Sequence, residues 1–312
     1  MEINHKGDHV LVVCPNPSVD IYAWVDEFVI GSSNRIIKEE RYPGGKGVHV
    51  AMALSELGID VLLLGFWGSV TGRWIKDQCT KYYPKIKCIG PELDTWSRSC
   101  YTFKSATDFD DSELLSAGPE VTQEDCDDLL YYLVKHLPKA KALALSGSWP
   151  QGARENGYGQ MVKWANKLSI PTFIDSAGVQ FKNALNENPY CIHLNRKEAL
   201  SYTGTETLED AQKQISQYCK VSAITDGEKG LYFNIGDNTL HGLSKVEEVY
   251  STIGSGDCLL AGIIAGYVMQ KTNEQIANLG AACGAANCIR PELGMLHKKD
   301  VDNLLSNLAQ NE

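Results

Sequence analysis

Residues 142–146 read ALALS, 172–175 TFID, 191–194 CIHL and 222–225 SAIT. Each is a short, mostly apolar run, the pattern of a strand buried on both faces. Between them lie segments with helical spacing of apolar residues: Gly157–Lys167, Lys197–Thr203 and Leu208–Tyr218. Alternation of this kind predicts a parallel sheet with helices on both sides. The pattern extends both ways. Upstream, Gln123–His136 predicts a helix, and residues 9–14 (HVLVVC) and 61–66 (VLLLGF) predict two more buried strands. A helix over Val48–Leu57 stops at Gly58, as a C-terminal glycine should make it. Downstream, Leu231–Ile235 and Glu247–Tyr250 predict edge or hairpin strands. Helices then cover Gly256–Gln270, Thr272–Cys288 and Lys299–Asn307.

Four further short stretches alternate polar and apolar residues or read as short strands: Tyr22–Val29, Ile36–Tyr42, Ser99–Ser105 and Glu113–Ser116. They predict a small sheet with one wet face, formed by about 20–42 and 97–118. Its natural place is over the C-terminal ends of the large sheet, where open α/β sheets bind ligands. No internal repeat or long linker divides residues 1–312, so the reading is a single α/β domain carrying a small β lid.

The chain has 312 residues, 43% apolar and 22% charged, with 29 basic against 39 acidic side chains and a net charge of −10. That acidic balance argues against a general nucleic-acid or membrane-surface binder. It does not exclude a small anionic substrate. The ten cysteines are scattered, with no C-x-x-C pair, so zinc-ligand spacing is absent. The N-terminus MEINHKGDHVLVV lacks the pattern of a secretory signal. The longest apolar run, Cys258 to Met269, falls short of the ~20 residues needed to span a bilayer. The expected setting is the reducing cytoplasm.

The segment Ser251-Thr252-Ile253-Gly254-Ser255-Gly256-Asp257-Cys258 precedes an apolar helix. Glycines 254 and 256 let the backbone turn tightly with its N–H groups outward. The helix start adds a positive dipole end, which makes an anion hole. An Asp beside such a hole can accept a proton from a hydroxyl nucleophile. Taken alone, the same residues could be a turn and a helix cap.

Six other loops accompany it in fixed order: Asn16-Pro17-Ser18-Val19-Asp20, Gly44-Gly45-Lys46-Gly47, Ser97-Arg98-Ser99-Cys100, Ser146-Gly147-Ser148-Trp149-Pro150-Gln151-Gly152, Asn195-Arg196-Lys197-Glu198 and Thr225-Asp226-Gly227-Glu228-Lys229-Gly230. Singly, each has a plainer reading as a turn, an exposed cation or a helix cap. Together they resemble the ribokinase/PfkB carbohydrate kinases, and within them the phosphosugar branch that includes 1-phosphofructokinases and tagatose-6-phosphate kinases. The resemblance runs from about residue 10 to about 290.

The resemblance implies a ribokinase-like three-layer α/β/α sandwich and transfer of a phosphoryl group from ATP to a sugar phosphate. Asp257 would be the base, with the amides of Gly254, Ser255 and Gly256 as the anion hole. Asp20, Gly44, Gly45, His49 and Ser146 would line the sugar site, with Lys46 and Arg98 clamping the phosphate already on the sugar. Asn195, Glu198, Thr225, Gly227, Gly230 and Asn287 would face the nucleotide. Asn195 and Glu198 would also organise Mg²⁺, mainly through water. A homodimer through the β lid is implied as well. The chain departs from the family pattern at His49 (usually Asn), Trp149 (usually Leu), and His193 with Leu194 (often Lys and Pro). A non-phosphorylated sugar or nucleoside as substrate, and a non-catalytic sensor on the same scaffold, are the competing readings. A nicotinamide dehydrogenase lacks its G-x-G-x-x-G fingerprint.

Overall fold

A computed structural model of the chain describes residues 7–105, 112–236, 238–292 and 294–309. Residues 106–111 of the expected lid and the first six residues of the N-terminal stretch lie outside that set.

Nine strands form the central sheet, in the order Asn238–Gly242, Leu231–Ile235, Val221–Thr225, Cys191–Asn195, Thr172–Asp175, Ala140–Ser146, His9–Cys14, Val61–Gly65 and Ile86–Ile89. Seven run parallel, and the first two pair antiparallel at one edge. The sheet is buried on both faces because successive side chains point to opposite sides. Val10 and Val12 enter one apolar core, and Leu11 and Val13 the other. Helices Lys46–Glu56, Ser255–Val268 and Asn273–Cys288 supply buried residues to the first core. Helices Gln123–His136 and Gly157–Lys167 supply them to the second. This is the expected three-layer sandwich.

A second sheet of four strands, in the order Lys38–Gly44, Ser18–Val25, Arg98–Ser105 and Ser112–Leu115, is the small lid. Its strand Ser18–Val25 follows directly on His9–Cys14. The connection through Asn16 and Pro17 therefore carries the chain from the C-terminal edge of the large sheet into the small one.

Some elements differ from expectation. Residues 247–250 form no strand; the hairpin partner of Leu231–Ile235 is Asn238–Gly242, whose mostly exposed, polar side chains give no apolar signal. Helices Ser69–Tyr82 and Gly178–Leu185 and strand Ile86–Ile89 were absent from the sequence reading. The first first lid strand begins at Ser18 rather than Tyr22 and stops at Val25. No described helix is long and apolar enough to cross a membrane.

Candidate active site

The C-terminal ends of the parallel strands deliver the polar residues. Ser146, Asp175, Asn195 and Thr225 each end a strand of the large sheet. Helix Ser255–Val268 points its N-terminus at the same edge. Gly254 precedes it at φ +80°, with no side chain capping the helix. Asp257 lies in the first turn, buried. The Ser255 amide turns back to the Thr252 carbonyl at 3.2 Å. The Ser255 amide, one of the three expected in the anion hole, is thereby engaged, while the first-turn amides of Gly256 and Asp257 have no intrahelical partner and can meet an anion.

Two cavities meet at this turn. One, of about 530 Å³, is lined by Ser18, Asp20, Gly45, Lys46, His49, Arg98, Gly147, Ser176, Glu198, Gly254 and Asp257, with lid residues Glu113 and Leu115 at its rim. The other, of about 520 Å³, is lined by Asn195, Thr225, Gly227, Gly230, Ser255 and Gly256 together with apolar Leu243, Val246, Val249 and Leu259. Thr252 borders both. The first cavity is rich in charge. The second has the apolar walls that suit a flat aromatic ring.

Lys46, Asp20 and Asp257 of the first cavity have ionisable partners. Lys46 Nζ donates to Asp175 Oδ1 at 2.7 Å, and His193 Nδ1 lies 2.8 Å from Asp175 Oδ2. Burial alone would raise the Asp175 carboxyl, but Lys46 and His193 hold it well below the usual carboxylate range. Burial opposes the Lys46 charge as well, yet Asp175, then Asp257, push its pKa up. Asp257 is raised by burial, an effect that His49 and Lys46 partly offset. Asp20 accepts the Ser18 hydroxyl on Oδ1 at 2.6 Å. Its carboxyl is lowered despite burial, chiefly by His49.

Lys46 and Arg98, expected to clamp one phosphate, are held by different partners. Arg98 Nε donates to the Asn16 carbonyl at 3.1 Å and Nη1 to the Ser116 carbonyl at 3.2 Å. It thus sits where lid and sheet join, while Lys46 is held by Asp175. Gly44 lies so close under Asp20 that a methyl group there would overlap the carboxylate.

Asn195 and Glu198 cap each other. Asn195 Oδ1 accepts the Glu198 amide and Glu198 Oε2 accepts the Asn195 amide, both at 2.9 Å. Asn195 faces the second cavity and Glu198 the first. Asn287 is buried and donates from Nδ2 to the Met295 carbonyl at 2.9 Å. It anchors the loop carrying Gly294, and is not among the residues lining the second cavity. Ser146 is fully buried and does not line the first cavity; Gly147 and Ser148 of the same loop do. Trp149 is half-buried and packs against Phe66 and Tyr158 of the second core.

Asp175, Ser18 and Gly294 escaped the sequence reading. An available signal for Asp175 was its position, an acidic residue ending a buried strand at the sheet's C-terminal edge.

Comparison with known proteins agrees with this arrangement. The chain is 27% identical over 308 residues to a tagatose-6-phosphate kinase of Staphylococcus epidermidis, covering 96% of this chain and 98% of that one. Escherichia coli phosphofructokinase-2, solved in complex with potassium, superposes with a TM-score of 0.88 at 20% identity over 96% of this chain and 99% of its own. A Thermotoga maritima protein described as a possible 1-phosphofructokinase superposes at 0.84 with 22% identity, over 96% and 97%. The model of the pfkB family carbohydrate kinases matches residues 13–296. With nearly the whole chain matched and the two cavities meeting at one helix N-terminus, the chain belongs to the pfkB family of carbohydrate kinases.

Proposed function

We propose that the chain transfers the γ-phosphoryl group of ATP to a hydroxyl of a sugar phosphate, with Asp257 as the base. The observation that carries this reading is the meeting of a charged cavity and an apolar-walled cavity at Gly254–Asp257. The sugar phosphate occupies the first and the nucleotide the second. The reacting hydroxyl lies beside Asp257. Arg98 binds the phosphate already on the sugar, at the junction of lid and sheet. Asp20 and Ser18 hold sugar hydroxyls. Lys46 belongs to the same site, but Asp175 holds its ammonium in the cavity that Asp257 and Glu198 also line, where negative charge passes during transfer. Thr225, Gly227 and Gly230 border the nucleotide.

The described residues contain no cluster of three or more His, Cys, Asp or Glu able to cage a metal. The side-chain oxygens of Asn195 and Glu198, beside the two cavities, fit a Mg²⁺ ion that arrives on the nucleotide and keeps much of its water. Glu198 Oε1, outside the cap, and the Asn195 side chain would meet that water shell. When bound, the ion neutralises charge on the ATP phosphates.

The four-stranded sheet is the lid that closes over the sugar and excludes water. Ile37, just before the edge strand Lys38–Gly44, and Leu114, on the other edge strand, are 62% and 61% exposed. An apolar face of this kind favours a homodimer through the lid. All ten cysteines are free thiols, which suits the cytoplasm.

The test is ADP release with Mg-ATP on fructose 1-phosphate, fructose 6-phosphate, tagatose 6-phosphate, free fructose and free ribose. Strong turnover on one phosphorylated sugar, reduced at least ~10²-fold by Asp257→Asn with binding kept, is the expected result. Turnover on the free sugars alone would replace the substrate class. Undiminished turnover in Asp257→Asn would remove the base.

A further inference from the structure

The imidazole of His49 lies between two carboxylates that are far apart in sequence. Nδ1 is 3.0 Å from Asp257 Oδ2 in a hydrogen bond, and Nε2 is 3.1 Å from Asp20 Oδ2 in an ion pair set off the hydrogen-bond line. All three side chains are buried. A neutral imidazole has one N–H and one lone pair. In this position it would turn a lone pair on one of the two carboxylates. Two carboxylates on opposite sides call for an N–H on both nitrogens.

The other charged and titratable groups around the ring act through those carboxylates. Lys46, from the same helix, and Asp175, from strand Thr172–Asp175, act on Asp257. Arg98, from the lid, acts on Asp20. Cys14, at the end of the first strand, is raised to about 11, chiefly by burial, and stays a neutral thiol. Burial disfavours charge on His49, but Asp20 and Asp257 outweigh it and push its pKa up to about 10. Gly294 closes the site from the ring's edge, where any larger residue would overlap the imidazole.

We propose that His49 is a positioning residue: as an imidazolium it fixes Asp257 through Oδ2, keeps that buried carboxylate ionised, and locks it in register with Asp20. The proposal rests on the kinase reading, with Asp257 as base. Asp257 Oδ1 is then the atom that receives the hydroxyl proton. As it does so, the hydroxyl oxygen bonds to the γ-phosphorus, the bond from that phosphorus to the bridging oxygen breaks, and its electron pair leaves on ADP. His49 keeps both of its protons throughout. Its nitrogens serve the two carboxylates and leave the sugar to Asp20, Ser18 and Arg98.

The experiment has two arms. The first records the pH profile of kcat for the wild-type enzyme, His49→Asn and His49→Gln, with Mg-ATP and the preferred sugar phosphate saturating. Loss of the cation should move the acid limb to higher pH by ~1 unit or more, as expected for removing an opposite charge at this distance. An acid limb that stays in place beneath a lower plateau would mean His49 only fills space, and would overturn the proposal. The second arm is ¹⁵N spectroscopy of the histidine rings in uniformly ¹³C,¹⁵N-labelled wild-type protein, with His49 assigned through its backbone connectivities. Both ring nitrogens should be protonated at pH 8. One protonated and one bare nitrogen at that pH would overturn the proposal even if neither variant folded. Should no sugar phosphate be turned over, the kinase reading fails, while the spectra still report the state of His49.

Discussion

Lys46 Nζ and Asp175 Oδ1 meet at 2.7 Å across 129 residues of sequence, joining the first helix of the chain to the end of a central strand. Asp175 is buried, and its other oxygen faces His193. The Lys46 ammonium, held by Asp175, lines the same cavity as Asp257 and Glu198, whose charges also raise its pKa. A cation held there by a buried carboxylate loses little freedom when negative charge develops in front of it.

Lys46→Met should consequently act on turnover. The expected loss is ~10²-fold or more in kcat, the magnitude of removing one preorganised electrostatic contact, with the KM for the sugar phosphate little changed. A rise in that KM with kcat intact would return Lys46 to the sugar's own phosphate, beside Arg98. Steady-state kinetics on both substrates separates the two.

Arg98 should behave in the opposite way. Its side chain reaches two backbone carbonyls where the lid joins the large sheet. The guanidinium retains other N–H donors for a phosphate. Arg98→Ala should raise the sugar-phosphate KM by roughly 10- to 100-fold, from the ~1.5–3 kcal/mol of a charge-assisted hydrogen bond, and spare the KM for ATP. Equal increases for both substrates would show that Arg98 only braces the lid.

The layers of the sandwich were legible in the sequence because buried parallel strands announce themselves as short apolar runs. Asn238–Gly242 was not, since an edge strand with exposed Asn238, Thr239 and His241 has no apolar face to reveal it. Helix Ser69–Tyr82 was hidden by the same physics, with only Gly72, Ile75 and Cys79 buried among polar neighbours. In the candidate site, loops built on glycine and a polar residue could be read locally. Pairings could not. His49 and Asp257 are 208 residues apart, and nothing near either residue names the other. Asn195 and Glu198 show the converse. Their spacing signalled a cap, and a cap is what their side chains form, whatever else they do toward a nucleotide.

Stability should vary with pH in a direction set by His49. Its folded pKa is raised to about 10 from ~6.5 in an unfolded chain. The stabilisation it contributes is fully present below ~6.5 and is lost as pH rises through about 10. Asp20, lowered in the fold, contributes stability that is present above ~3.9 and lost as pH falls through its depressed folded value. Asp257, raised by burial, has the opposite sign, weakening the fold as it ionises. Thermal melting of the wild-type protein should therefore fall more steeply between pH 7 and 10 than that of His49→Asn. Parallel curves would mean that the ring is not charged in the folded protein.

Gly294 gives a sharper test of whether the ring's place matters, because a matched control exists in the same chain. Gly294 has φ +59° and Gly204 has φ +69°, both in the left-handed region that side chains disfavour. A methyl group on Gly204 meets nothing within 4 Å, whereas one on Gly294 overlaps the His49 ring. Both alanine variants should lose the ~1–2 kcal/mol expected of a left-handed non-glycine residue. Only Gly294→Ala should also push His49 away from Asp257. Its kcat should fall while Gly204→Ala keeps wild-type turnover, and ATP affinity should hold in both because neither glycine lines the nucleotide cavity. If Gly294→Ala turned over normally, the contact between that loop and His49 would be packing alone, and the orientation of Asp257 would have to come from helix Ser255–Val268 by itself.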